Sequence, residues 1–393
     1  MRHIIRFRVV FFVPGLAMSL ALSGCASLPN SGPSADQVVA HAVTPREIRY
    51  EVIDIDKDVV SKLSKRTQDS LKSAFGDYRP PVDARIGIGD GITVTIWEAA
   101  AGGLFSAPLV TDRFSTGSKS ATIPEQIVGR DGSITVPYAG RVRVIGQRLS
   151  QVQRTIERAL EGKAIQPQVL VNLTRPISQT VTVTGEVTTG ARVPLSVKGD
   201  RLLEVIASAG GIRAPVNETY IQLSRGRRTV RVSMSRVVRD PSENIFMRPK
   251  DVVTLVRDPQ KFVAYGATGR NSDVPFEADS ISLSEALAKV GGLQDFRADP
   301  SGVFVLRYES RQMARSIVPH SSLLSRNSRV PIVYRLNLRD ANGLFLAQKF
   351  KIFARDVVYV SNAPANEWQK ALQLFYMLTG PVSAGASIAA ATR

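Results

Sequence analysis

The chain has 393 residues, with 51 lysines and arginines against 34 acidic residues, for a formal charge of +17. Hydrophobic residues make up 44% of it, which excludes a disordered chain, and the length is enough for two or three domains with cores of their own. A single cysteine excludes an intrachain disulfide. So large an excess of base points to a polyanion, and charge alone does not choose among acidic glycan, lipid phosphate and DNA.

Arg2, Arg6 and Arg8 precede an apolar stretch from Val9 to Leu22 that is too short to cross a bilayer comfortably, the pattern of a secretory signal. It ends in Leu22-Ser23-Gly24-Cys25, which resembles the lipobox of bacterial lipoproteins. The resemblance implies a signal peptide over 1–24 and lipidation of Cys25; the bland alternative is a buried free thiol. Acyl chains would make a strong anchor, since each buried methylene contributes about 0.8 kcal/mol. Ala26, where inner-membrane lipoproteins commonly carry aspartate, implies the outer membrane. Cleavage lowers the charge to +14, because three arginines and no acid are removed.

Residues 25–47, with Ser31-Gly32-Pro33-Ser34, read as a lipidated polar tether. Residues 48–84 read as a strand and linker: Ile48, Tyr50 and Val52 alternate with polar residues, and the strand's partner is expected far away in sequence. Asp54, Asp56 and Asp58 have the spacing of a calcium loop, but Val59 stands where that loop needs glycine and Lys65 where it needs glutamate, so no metal is expected.

From 85 to 175 the pattern is strong. Gly87, Gly89, Asp90 and Gly91 make a tight turn, and Ile92, Val94 and Ile96 then alternate as a strand. The run from Val128 to Gly140 reads as a hairpin with Asp131-Gly132 at its turn, followed by a strand from Val142 to Ile145. A helix follows, capped by Ser150 with Gln153 three residues on, with Val152, Ile156 and Leu160 on its apolar face and Gly162 stopping it. Val169, Val171 and Leu173 form one more strand. A dinucleotide reading of the three glycines fails, because a strand follows where that fingerprint needs a helix.

These runs, Ile-Gly-x-Gly-Asp-x-Ile-x-Val-x-Ile-Trp up to Trp97, Asp-Gly-x-Ile-x-Val-Pro-Tyr-x-Gly from Asp131 and Pro167-x-Val169, resemble the export domain of Wza-type outer-membrane polysaccharide exporters. The long sequence between Trp97 and Pro124, with Ile123-Pro124-Glu125-Gln126, resembles the capsule-specific branch of that family.

An internal repeat needs no outside knowledge. At an offset of 81 residues, Gly185 meets Gly266, Val193 meets Val274, Pro194 meets Pro275, Leu202 meets Leu283, Glu204 meets Glu285, Ala207 meets Ala288, and Gly210-Gly211 meets Gly291-Gly292. Each unit reads as strand, glycine turn, Pro-containing strand, short helix and Gly-Gly cap. Both close alike, on Lys250-Asp251-Val252-Val253 and Arg355-Asp356-Val357-Val358, at an offset of 105, so the second unit holds a 24-residue insertion. The units, 176–260 and 261–362, resemble the soluble ligand-binding β-grasp (SLBB) domains that the same exporters carry in tandem. The resemblance implies stacked rings; two duplicated scaffolds without ligand are the simpler reading. Arg225, Arg227, Arg228, Arg231, Arg236 and Arg239 mix with Val230, Val232 and Val237 in a strand-like pattern. One strand face, with Arg225, Arg227, Arg228 and Arg231 as candidate contacts, could bind a polyanion, or the segment is a solvated edge strand.

The segment 363–393 has Pro364 near a helix start, with Trp368, Ala371, Leu372, Phe375, Leu378 and Val382 on one stripe and Asn366, Gln369 and Gln373 opposite. From Pro364 to Ala391 a helix would run about 42 Å, enough for a hydrocarbon core of about 30 Å. A lone helix would leave polar groups facing lipid, so spanning requires a ring of copies, lipid outside and water inside. Gly380-Pro381 interrupts the stripe; ending there, the helix would run about 25 Å and lie on a surface.

Catalysis has little to work with, since cleavage leaves only His41 and His320 and the glycines at 185 and 190 lack the Lys-Ser of a phosphate-cradling loop. The sequence therefore predicts an α+β protein, not an enzyme and with no cofactor: an export domain, two SLBB-like repeats and an amphipathic helix that forms an α-helical barrel in the oligomer. The resemblance implies an outer-membrane translocon for acidic capsular polysaccharide. Its implied partners are outer-membrane lipid, identical subunits in an octameric ring, an inner-membrane polysaccharide co-polymerase and an ABC transporter, but no nucleic acid. The alternative is a lipid-anchored periplasmic adaptor that binds a polyanion without spanning.

Overall fold

The computed structural model describes residues 32–40, 48–66, 69–76, 79–80, 85–99, 104–105, 120–326 and 328–364. The signal segment, Cys25 and the segment from 365 onward, with Asn366, Trp368, Gln369, Ala371, Leu372, Gln373, Phe375, Leu378 and Val382, lie outside the described residues. Two compact units form, one from residues 1–67 and 260–393 and the other from 68–259. The N-terminal share of the first is α1 (Ala35–Ala40), β1 (Glu51–Asp54) and α2 (Lys57–Ser64).

The 68–259 unit starts with α3 (Leu71–Phe75). In its glycine-turn module, β2 (Gly91–Trp97) lies between β3 (Ser120–Ile127) and β6 (Gln168–Arg175) in an antiparallel sheet, flanked by the hairpin β4 (Ser133–Val136) and β5 (Gly140–Arg143). Period-two alternation buries Ile92, Val94 and Ile96 against Val152, Ile156 and Leu160 of α4 (Leu149–Leu160). Asp90 is fully buried because it serves as a hook: its carboxylate accepts from the N–H of Gly87 (2.8 Å) and from the N–H and Oγ of Ser178 (both 2.7 Å). Pro124 sits where the β2–β3 register slips between Ile92 and Val94, the kind of edge irregularity a proline tolerates.

Two expectations shift here. The helix begins at Leu149, two positions earlier than a Ser150 cap allows, because Gln151, not Gln153, reaches back to the Arg148 N–H (2.9 Å). Asp131-Gly132 leads into β4, while the hairpin itself turns at Pro137–Ala139, where Tyr138 takes φ 65°.

The first repeat comprises β7 (Thr180–Gly185), β8 (Ala191–Pro194), α5 (Leu202–Ser208), β9 (Thr219–Arg225), β10 (Arg228–Ser233), α6 (Met234–Arg239) and β11 (Val252–Arg257). Its sheet runs β10-β9-β11-β7-β8, with β11 parallel to β7 and Leu202, Val205 and Ile206 of α5 covering one face. The expected arginine strand is cut short: Ser233 accepts from the Arg236 N–H and caps α6, so Arg236 and Arg239 are helical.

The second repeat comprises β12 (Lys261–Gly266), β13 (Ser272–Pro275), β14 (Ile281–Ser282), α7 (Leu283–Lys289), β15 (Ala298–Ser310), α8 (Arg311–Ile317), α9 (Leu323–Arg326), β16 (Arg329–Leu336), α10 (Ala341–Lys349), β17 (Lys351–Ile352) and β18 (Val357–Asn362). Its sheet runs β1-β16-β15-β18-β12-β13: the five strands of the first repeat in the same order, plus β1 added in parallel beside β16. This is the distant partner expected of the Tyr50–Val52 stretch. Asp54, Asp56 and Asp58 do not converge: Asp54 pairs with Arg335, Asp56 caps α2 and Asp58 pairs with Lys62. The insertion lies mainly between β15 and β16, where α8 and α9 replace the tight Gly226-Arg227 turn of the first repeat.

The duplication extends to single bonds. The two repeat glycines that end β7 and β12 take φ +91° and +92°, and a Cβ on either would lie 2.0 Å from a carbonyl oxygen, of Leu255 or of Val360. Each repeat also holds a buried ion-pair latch. Arg225 meets Asp251 with Nε–Oδ1 2.8 Å and Nη2–Oδ2 2.7 Å, and Arg307 meets Asp356 at 2.8 and 2.6 Å. In both, the same guanidinium donates to a carbonyl, of Phe246 (3.1 Å) or Lys351 (2.7 Å), and the aspartate accepts a backbone N–H, of Arg248 or Phe353. In both, the residue before the aspartate, Lys250 or Arg355, takes φ near +70°. Burial alone would lower the pKa of Arg307, but Asp356 holds it well above its ordinary value, so the guanidinium stays charged.

The helix caps titrate. Ser282 N–H donates to Glu285 at 2.6 Å, and that bond holds the Glu285 carboxyl below its ordinary 4.5. A depressed folded-state pKa contributes stability that is present above the ordinary value and lost as pH falls through the lower one. Glu285→Gln, which resembles the protonated acid, is therefore expected to lower stability at neutral pH and to converge on the unsubstituted protein as pH falls well below 4.5, flattening part of the acid limb, as read by urea denaturation.

Candidate functional site

The most informative surface of the 1–67/260–393 unit is the end that brings α1 close to the end of β18. Ser34 and Gln37 form a reciprocal cap, with Gln37 Oε1 accepting from the Ser34 N–H (2.9 Å) and Ser34 Oγ from the Gln37 N–H (3.3 Å). The cap starts α1, so residues 34–40 of the expected 25–47 tether are packed rather than free. Val38 of α1 packs on Phe304, Val333 and Tyr359 of the sheet's outer face. Tyr359 stacks on Phe304 and donates its hydroxyl to the Pro33 carbonyl (2.6 Å); burial pushes its pKa up, so it remains a donor.

A few residues further along the sheet, β18 ends: the Ala363 N–H donates to the Arg297 carbonyl (2.8 Å) and Pro364 follows. Between this exit and α1 lies a cleft of about 520 Å³, with Ser34, Asp36, Asp54, Asp299, Arg335 and Pro364 in its wall. Four of its charges are paired, two by two. Arg335 Nη2 reaches Asp54 at 2.9 Å, a bond that raises the arginine's pKa, and Arg339 reaches the buried Asp299 at 3.1 Å. Asp299 is further held by the N–H and Oγ of Ser301 (3.0 and 2.7 Å). The arrangement can bracket the chain's two departing ends in one place. Sequence reasoning missed Tyr359, Asp299 and Arg335; the cap at Ser34-x-x-Gln37 was the available signal.

The candidate polyanion arginines do not share one face. Arg225 is committed to Asp251 and stacks on Phe75 of α3 (4.9 Å), and Arg228 reaches the same ring (5.8 Å) and the Ala74 carbonyl. Arg231, of opposite parity on β10, pairs with Asp258 and covers Tyr220. Arg227 is exposed at the tip of the β9–β10 turn. Among the described residues, no helix is long and apolar enough to cross a membrane.

Comparison with known proteins fits this architecture. Residues 79–174 match the polysaccharide biosynthesis/export protein family, and 179–255 and 260–360 each match the SLBB domain. The chain is 36% identical to the capsule polysaccharide export outer membrane protein CtrA of Neisseria meningitidis serogroup B, over 97% of this chain and 98% of that one. It is 34% identical to the capsule polysaccharide export protein BexD of Haemophilus influenzae, over 93% and 95%, and 27% identical to the Vi polysaccharide export protein VexA/TviF of Salmonella typhi, over 73% and 76%. With the module boundaries in the structure following the same divisions, the chain belongs to the polysaccharide biosynthesis/export family, with two SLBB domains after its export domain.

Proposed function

We propose that the mature protein is an outer-membrane lipoprotein that assembles into a ring and passes a capsular polysaccharide from periplasm to cell surface. The observation that carries this reading is the convergence of Ser34–Asp36 and Pro364 on one cleft of one unit. A lipid on Cys25 and a helix starting at Pro364 then approach the membrane from the same side. In the ring, Trp368, Ala371, Leu372, Phe375, Leu378 and Val382 face lipid and Asn366, Gln369 and Gln373 face the water-filled lumen, which removes the polar cost a lone helix would meet. The excess of base, with Arg227 at an exposed turn, suits an acidic glycan. Transport is driven by inner-membrane partners, a co-polymerase and an ABC transporter, and the protein itself performs no catalysis.

The test is export in cells carrying a chain that stops after Pro364. Surface polysaccharide, read by antibody on intact cells, is expected to disappear while polymer accumulates inside. Unchanged encapsulation would overturn the proposal, and an Arg393 tag that stays hidden from external label would favour an adaptor that does not span.

A further inference from the structure

The same end of the 1–67/260–393 unit exposes large apolar side chains that its fold does not use. Phe296 is 76% exposed, in the loop just before Arg297, whose carbonyl holds Ala363. On α10, Gly343, Leu346 and Ala347 face inward, whereas Leu344 (57%) and Phe345 (65%) point out, with exposed Gln348 and Lys349 one turn on. The start of α10 belongs to this end, since Asn342 and Gly343 line the same cleft as Pro364, and Leu338 donates to the Pro300 carbonyl. The helix therefore carries apolar side chains on its outward as well as its inward face, and its own fold leaves the outward ones uncovered.

Chain length says what covers it. Seven residue steps separate Cys25 from Gly32, so a lipid on Cys25 keeps this end within about 25 Å of the acyl region. We infer that Phe296, Leu344 and Phe345 dock onto the phospholipid surface of the membrane that holds the lipid anchor, giving the unit a third membrane contact besides the anchor and the C-terminal helix. This rests on the anchor reading above. It adds a fixed orientation: the β15 end at Ala298 faces lipid, and the α8–α9 connection, at the far end of that strand, faces away.

Cys25 is the sole cysteine and acylation blocks it, so introduced thiols can be labelled uniquely. Full-length acylated protein carrying Phe296→Cys, Phe345→Cys or Ser325→Cys is labelled with bimane and placed in phosphatidylethanolamine/phosphatidylglycerol vesicles containing a shallow nitroxide lipid. A probe seated about 5–10 Å into the headgroup boundary is within quenching reach, so emission at 296 and 345 is expected to fall about threefold, with that at 325 unchanged. Equal emission at all three sites overturns the inference, as does pyrene excimer formation at 345 without lipid quenching, which would assign the face to a second copy. Mass measurement of Cys25 in the same sample separates the two readings: an acylated chain with unquenched 296 and 345 removes the docking face alone, and an unacylated chain removes the anchor.

Discussion

Asp356→Ala is expected to destabilise the second repeat by about 3–5 kcal/mol, because it strands a buried guanidinium. Arg307 has 5% of its side chain exposed, against 18% for Arg225, so water can replace the lost partner less well in the second repeat than in the first. Asp251→Ala should therefore cost less than Asp356→Ala. Glu309, fully buried, offsets only part of the loss: it pairs weakly with Arg307 (3.4 Å) and is already held by Arg66 (2.6 Å) and the Tyr334 hydroxyl (2.9 Å). Replacing both partners with apolar side chains, as Arg307→Met with Asp356→Leu, is expected to recover most of the loss, since the penalty comes from the unpaired charge more than from the missing attraction. Urea denaturation of the three variants checks this. A double variant as unstable as the single would show that the latch contributes directly.

Gly266→Ala is expected to cost about 3 kcal/mol or more, combining backbone strain of about 1–3 kcal/mol with a clash of similar size. Its φ of +92° lies outside the left-handed basin that alanine tolerates, and the added methyl would sit 2.0 Å from the Val360 oxygen, between parallel strands that cannot part without losing their ladder. Gly185→Ala should behave alike, because its φ is within a degree and its added methyl would meet the Leu255 oxygen at the same 2.0 Å. By contrast Gly211→Ala, where a Cβ meets nothing within 4 Å, bears the strain of φ +77° alone and should fall below both. Thermal unfolding ranks the three. An equal shift for Gly211→Ala and Gly266→Ala would mean that close strand approach is not what selects glycine.

These examples show which parts of the fold were legible in the sequence. Gly185 and Gly266 could be paired at a constant spacing because a position that admits only glycine is marked by its identity alone. The strand alternation around Ile92, Val94 and Ile96 was equally readable, being a direct record of which face is buried. The latches were not. Arg225 looked like one of six surface arginines, and its counterpart Arg307 is displaced by one residue from the 81-residue spacing, because β15 slips register between Ala298 and Val303 where β9 does not. An ungapped comparison steps over that pair. The exposed face at Phe296, Leu344 and Phe345 was hidden for another reason: three residues from two segments acquire meaning only when the fold brings Ala363 and Asn342 to one end.

The added parallel strand also sets an order of events. Asp54 must find Arg335, 281 residues later, before the six-stranded sheet can close. During synthesis the amino end emerges first and its strand-forming stretch stays unsatisfied while the contiguous 68–259 unit follows and folds around its own short-range contacts. Completion of the 1–67/260–393 unit thus reports that nearly the whole polypeptide has been made. A truncated product ending before residue 329 would leave an unpaired edge on display, ready for a chaperone or a protease.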